Sequence, residues 1–140
     1  MNPARTVAVV VDTMVMSALV NAARNPVPAA DYRSLIGGRP VMLSFATVTE
    51  FRYGAVKAAW GALRLRALER DLGRVVIVQP DDRLMQICAE LRVDCELRGL
   101  ALGQKIHEAD RWVAATALHL DLDLISDDGV FQNVTGLRLG

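Results

Sequence analysis

The chain has 140 residues, 52% of them hydrophobic, and its 16 Lys and Arg are balanced by 16 Asp and Glu. That length suits a single domain, 1–140, with a core large enough to need no disulfide or metal staple. A formal net charge of zero excludes a broad basic field as the means of gripping nucleic acid, and no apolar run approaches the roughly 20 residues that span a bilayer.

The first predicted element is the apolar run 7–11, VAVVV, a strand buried on both faces that runs straight into Asp12. No small-residue cleavage site follows Arg5 and these valines, so no signal peptide is expected and the cytoplasm is the expected compartment. A helix is predicted over 14–23. Pro26 and Pro28 break it, and a short helix fits 29–37 before the punctuation of Gly37, Gly38 and Pro40. VMLSF, 41–45, is the second strand. Helices follow over 47–58 and 61–72, parted near Gly61, and RVVIV at 74–78 is the third strand. Pro80 opens a helix over 81–97, in which Cys88 and Cys95 read as small core residues of a reduced protein. A helix over 106–120, a fourth strand at 122–125 and a short fifth at 137–139 complete the chain. Strands alternating with helices predict a parallel α/β sheet covered by helices on both faces.

Ligands of such sheets bind beyond the carboxyl ends of the strands, where strand order reverses. The residues at those ends are acidic: Asp12 after the first strand, Glu50 beyond the second, Asp127 and Asp128 after the fourth. Each has an ordinary explanation by itself. Asp12 can cap a helix. Thr47 and Glu50 have the spacing of a capping box. Ser126-Asp127-Asp128-Gly129 is good turn chemistry. Asp110 is harder to explain away, because its helical neighbours Val113, Ala114 and Ala117 place it on the face that meets the sheet. Carboxylates gathered at one sheet end repel one another and require a cation. Oxygen ligands without a Cys or His cluster favour Mg²⁺, or Mn²⁺. Such an ion activates water and stabilises the leaving oxygen of an in-line displacement, so the chemistry implied is phosphodiester hydrolysis.

Three segments carry a family resemblance: VVVDTMV at 9–15, TVTEFRYG at 47–54, and DRWVAATALHLDLDLISDDGVF from residue 110, followed by GLRL. The sequence resembles the PIN-domain family over nearly its whole length, and within it the VapC-type toxins of toxin–antitoxin pairs. The resemblance implies a three-layer α/β/α sandwich with a mostly parallel central sheet. It places an acidic quartet on Asp12, Glu50, Asp110 and Asp128, with Asp12, Asp110 and Asp128 holding Mg²⁺ and Glu50 orienting the attacking water. Thr13 and Ser126 match small hydroxyl positions beside the metal. The implied function is an Mg²⁺-dependent endoribonuclease toxin that cleaves RNA, forms a homodimer and is blocked by a small antitoxin. A competing class is a binding module of the same fold, weak or inactive in catalysis, that acts with its antitoxin in operon repression. The chain departs from the family's usual residues at Met14, where an Asn is common, and at Val130, where an Asp is common.

Other candidates are fewer. His107 and Asp110 have the spacing of a transition-metal pair on one helix, but no third His or Cys lies near in sequence. His119 reads as a helix-end residue. Arg64, Arg66, Arg70 and Arg74 suit either a solvated helix face or phosphate contacts with RNA. Phe51, Tyr53, Trp60, Leu63 and Leu65 suit core packing or a groove for a partner helix.

Overall fold

A computed structural model describes residues 7–140; Arg5 lies outside the described residues. In chain order it contains β1 (Val9–Val11), α1 (Thr13–Val20), α2 (Pro26–Ile36), β2 (Val41–Ser44), α3 (Phe45–Lys57), α4 (Ala62–Leu72), β3 (Val76–Val78), α5 (Asp82–Leu97), α6 (Glu108–Leu120) and β4 (Leu124–Ile125). The strands lie in the order β3-β2-β1-β4 and every pair is parallel. Val10 sits opposite both Met42 and Leu124, which makes β1 a central strand. Its three valines are fully buried, as a strand covered on both faces requires.

The two-residue period of a strand divides the core. Val10 and Leu124 face one apolar cluster, completed by Leu84, Leu91, Val113, Ala114 and Phe131 from α5, α6 and the turn after β4. Val9, Val11, Leu43 and Ile125 face the other, completed by Val15, Ile36, Val48, Leu68 and Leu72 from α1 to α4. The result is a three-layer α/β/α sandwich with an all-parallel sheet. Cys88 and Cys95 are free and buried on the sheet side of α5, and burial pushes both thiols up from their ordinary range.

Several elements differ from expectation: α1 ends at Val20 rather than residue 23, and β3 and β4 begin at Val76 and Leu124, two residues later than expected. α2 starts at Pro26 rather than residue 29, because Pro26 and Pro28 fall in the first helical turn, where no intrahelical N–H is lost. α3 starts at Phe45, with Ser44 Oγ accepting from the Ala46 N–H at 3.1 Å, so Thr47 is not the cap and no capping box with Glu50 forms. The Phe45 ring instead packs edge-on against Trp112 of α6, with centroids 5.0 Å apart, and this draws the chain into the helix two residues early. Lastly, the predicted strand at 137–139 amounts to a single bridge between Leu124 and Leu139.

Arg111 of α6 is 2% exposed, and no carboxylate lies within ion-pair distance of it among the described residues. Its Nη1 donates to the carbonyls of Leu102 (3.0 Å) and Gln104 (2.5 Å), pinning the segment between α5 and α6. Arg111→Ala should cost about 3 kcal/mol in chemical denaturation, since charged hydrogen bonds are lost and buried acceptors are stranded. A cost below about 1 kcal/mol would mean that the guanidinium holds nothing in place.

Candidate active site

The strand order reverses between β1 and β4, and the acidic residues gather beyond the carboxyl ends of those two strands. Asp12 follows β1 directly and is 3% exposed. It caps α1, with Oδ1 accepting from the Val15 N–H at 2.8 Å. Its Oδ2 accepts a short hydrogen bond from Ser126 Oγ, just past β4. Ser126 Oγ in turn accepts from the Asp128 N–H at 3.0 Å. One hydroxyl therefore ties the two strand ends together. Asp128 Oδ1 accepts from the Val130 N–H at 2.9 Å and caps the short turn Gly129–Phe131.

Asp110 enters from the first turn of α6. With Asp12 and Asp128 it lines a cleft of about 580 Å³, whose far wall includes Met14, Ser17 and Asn21 of the α1 segment and Pro28 of α2. Thr13 also lines the cleft, and its hydroxyl lies 3.0 Å from that of Thr47, a fully buried residue of α3. Glu50 is not brought to the cleft lining. It is exposed on α3, one turn beyond Thr47. Asp127 turns away: Tyr32 of α2 donates to its Oδ2 at 2.7 Å, and this bond heads the causes that push the tyrosine phenol up to about 12.

Burial is the main reason the Asp12 carboxyl is raised above its ordinary range; the negative charges of Asp128 and Asp110 add to this, while the hydrogen bonds from Ser126 and Val15 oppose it. Neither Asp12 nor Asp128 has a basic partner within ion-pair distance among the described residues, and Asp110 has only His107. Such a donor set fits a hard divalent cation. No three His, Cys, Asp or Glu side chains among the described residues are close enough to enclose an ion by themselves. Mg²⁺ does not need such a cage, because it retains several waters and takes only one or two carboxylates directly.

The remaining candidates have plainer placements. His107 pairs with Asp110 at 3.0 Å, and His119, in the last turn of α6, lies 3.7 Å from Asp81. Arg64 stacks its guanidinium 3.8 Å above the Trp60 ring, and Arg70 and Arg74 flank Asp71. Sequence reasoning missed Thr47 and Tyr32 as parts of the site's frame. A hydroxyl residue just after a strand was the signal for the first, obscured by its match to a capping box. Tyr32 and Asp127 are 95 residues apart, and no local pattern announces that pair.

The model of the PIN domain family matches residues 9–137, and the chain belongs to that family. No curated protein matches it. Among solved structures it is similar to VapBC2 from Rickettsia felis bound to a DNA fragment from their promoter, with a TM-score of 0.77 and 20% identity over 95% of this chain and 97% of that one. It is similar to VapBC-1 from nontypeable Haemophilus influenzae, with a TM-score of 0.74 and 24% identity over 95% and 96%. It is also similar to VapBC-5 from Mycobacterium tuberculosis, a member of the VapBC family of toxin–antitoxin systems, with a TM-score of 0.64 and 27% identity over 94% and 96%. The family and fold read from the motifs are thus borne out. No helix among the described residues is long and apolar enough to cross a membrane.

Proposed function

We propose that this protein is the toxin of a toxin–antitoxin pair, a divalent-metal-dependent endoribonuclease held in check by a small cognate antitoxin and acting as a homodimer. The observation that carries the reading is the convergence of Asp12, Asp110 and Asp128 on one cleft at the point where strand order reverses. The likeness to VapBC complexes, one of them at 27% identity, supports the toxin–antitoxin assignment. A bound Mg²⁺ or Mn²⁺ would supply positive charge to phosphate oxygens and acidify a water. Asp12, Asp110 and Asp128 would hold the ion, directly or through water. Ser126 favours the charged form of Asp12 by donating to it, against the opposing effect of burial, and Thr13 and Thr47 brace the start of α1. Glu50, farther out on α3, would orient water at the edge of the site.

The test is cleavage of RNA by the purified chain with Mg²⁺, stopped by EDTA and restored by added metal. A folded protein that cleaves no RNA under these conditions would point to the binding-module reading instead. Glu50→Gln should lose less activity than changes at the three aspartates, on the order of tenfold, consistent with a positioning role for its carboxylate. A loss as deep as that of Asp110→Asn would place Glu50 among the direct ligands.

Ser126→Ala supplies a pH test. The hydroxyl favours the charged form of Asp12, so its removal lets burial raise that carboxyl further. The acid limb of the pH–rate profile should therefore move to higher pH, and an unmoved limb would mean that Asp12 ionisation does not govern the rate.

A further inference from the structure

Each of the three cleft carboxylates has an oxygen held in a hydrogen bond, and the partner of Asp110 is not accounted for by helix capping. Asp12 is held by Val15 and Ser126, and Asp128 by Val130. Asp110 Oδ2 lies 3.0 Å from His107 Nδ1. His107 is the cap residue of α6 and Asp110 stands three positions on, where an acid ordinarily turns back to the cap residue's own N–H. Here that N–H is already donated to the Gln104 carbonyl at 3.0 Å, so the imidazole is the partner available. We propose that His107 is a positioning residue for Asp110: its Nδ1–H holds one carboxylate oxygen so that the other is presented to the cation site of the cleft. This rests on the metal-dependent nuclease reading above.

The segment that carries His107 is built to stay still. Leu102 is fully buried. Gly103 approaches α5 so closely that a Cβ there would lie 2.8 Å from the Glu96 nitrogen. Arg111, the residue after Asp110, reaches back to the Leu102 and Gln104 carbonyls. α6 thus fixes the segment, the segment fixes His107, and His107 fixes the carboxylate on α6. Without that donor, the Asp110 side chain, 31% exposed, would be free to sample several rotamers and would spend less time in the one that serves the ion. Partners that orient a ligand in this way are worth about 10–100-fold in metal affinity or activity.

The experiment compares wild type with His107→Ala and His107→Asn. Its readouts are the Mn²⁺ dissociation constant from the electron paramagnetic resonance of free Mn²⁺, kcat and KM on RNA, and thermal melting. His107→Ala should weaken Mn²⁺ binding about 10–100-fold and lower kcat with KM little changed. His107→Asn, whose amide can still donate, should recover most of the affinity. If the alanine variant melts early, His107→Asn against His107→Leu makes the same decision at similar volume, with Asn retaining Mn²⁺ and Leu losing it. Wild-type affinity in His107→Ala would overturn the proposal. Equal loss in the Ala and Asn variants would overturn it in favour of His107 as a ligand itself. If wild type neither binds Mn²⁺ nor cleaves RNA, the nuclease reading fails and the proposal fails with it.

Discussion

Asp12→Asn is expected to abolish RNA cleavage, by about 10³-fold or more, while making the metal-free protein more stable. The loss of activity follows from removing the most buried of the three carboxylates in the cleft. The gain in stability follows from the same burial. The folded-state pKa of Asp12 lies above its unfolded value of 3.8, chiefly through desolvation. Between those two pKa values the folded chain binds more protons than the unfolded one, so native stability falls as pH rises through that window and stays at the lower level beyond it. Asn carries no charge, yet its side-chain oxygen can still accept from the Val15 N–H and preserve the cap. The melting temperature of Asp12→Asn should therefore exceed that of wild type at neutral pH, and the gap should close as pH falls through the window. Mg²⁺ should raise the melting temperature of wild type and leave the variant unmoved, since only a ligand bound by the native state stabilises it. Thermal melts with and without Mg²⁺ at several pH values check all of this. A less stable variant would make Asp12 a structural cap first, and retained cleavage would remove it from the active site.

That dual character explains what could be read from the chain beforehand. The valine run fixed the position of β1, because a strand buried on both faces must be apolar throughout and needs no partner to declare itself. Asp12 was legible for the same reason: a carboxylate at the end of such a strand breaks the pattern sharply. Asp110 was legible from helical period, since Val113, Ala114 and Ala117 define a buried face that it shares. Glu50 was misleading. Its spacing from Thr47 suggested a helix start, but Ser44 caps α3 and Phe45 already lies in it, because Trp112, 67 residues away in sequence, offers a ring to pack against. Local propensity could not see that contact. Nor could it choose between Asp127 and Asp128, which occupy one turn and differ in environment only because Tyr32 on a distant helix takes one of them. What local pattern conveys is the strand ends and the buried faces. The orientation of each carboxylate depends on contacts between segments far apart in sequence.

Phe131 gives the clearest test of how packing aims a side chain of the candidate site. It closes the short turn that Asp128 caps, and its ring is 1% exposed among Val10, Leu102, Leu124 and their neighbours. Phe131→Ala removes most of that buried surface and leaves a cavity, at a cost of about 3–5 kcal/mol. Against a total stability of about 5–15 kcal/mol for a domain, that is enough to lower the denaturation midpoint markedly. Urea titration should show a lower midpoint with an unchanged slope, the mark of altered stability rather than an altered unfolded chain. The turn should also lose its anchor, so Asp128 should be aimed less well even in molecules that remain folded. Mn²⁺ affinity, measured in low denaturant where the variant is fully native, should fall in Phe131→Ala. It should fall far less in Phe131→Leu, which keeps most of the apolar contact. Should the alanine variant be destabilised as expected but bind Mn²⁺ like wild type, the turn would be held by the hydrogen bonds from the Val130 N–H to the Asp128 carboxylate and from the Asp128 N–H to Ser126 Oγ, and the core would support the site only by keeping the chain folded.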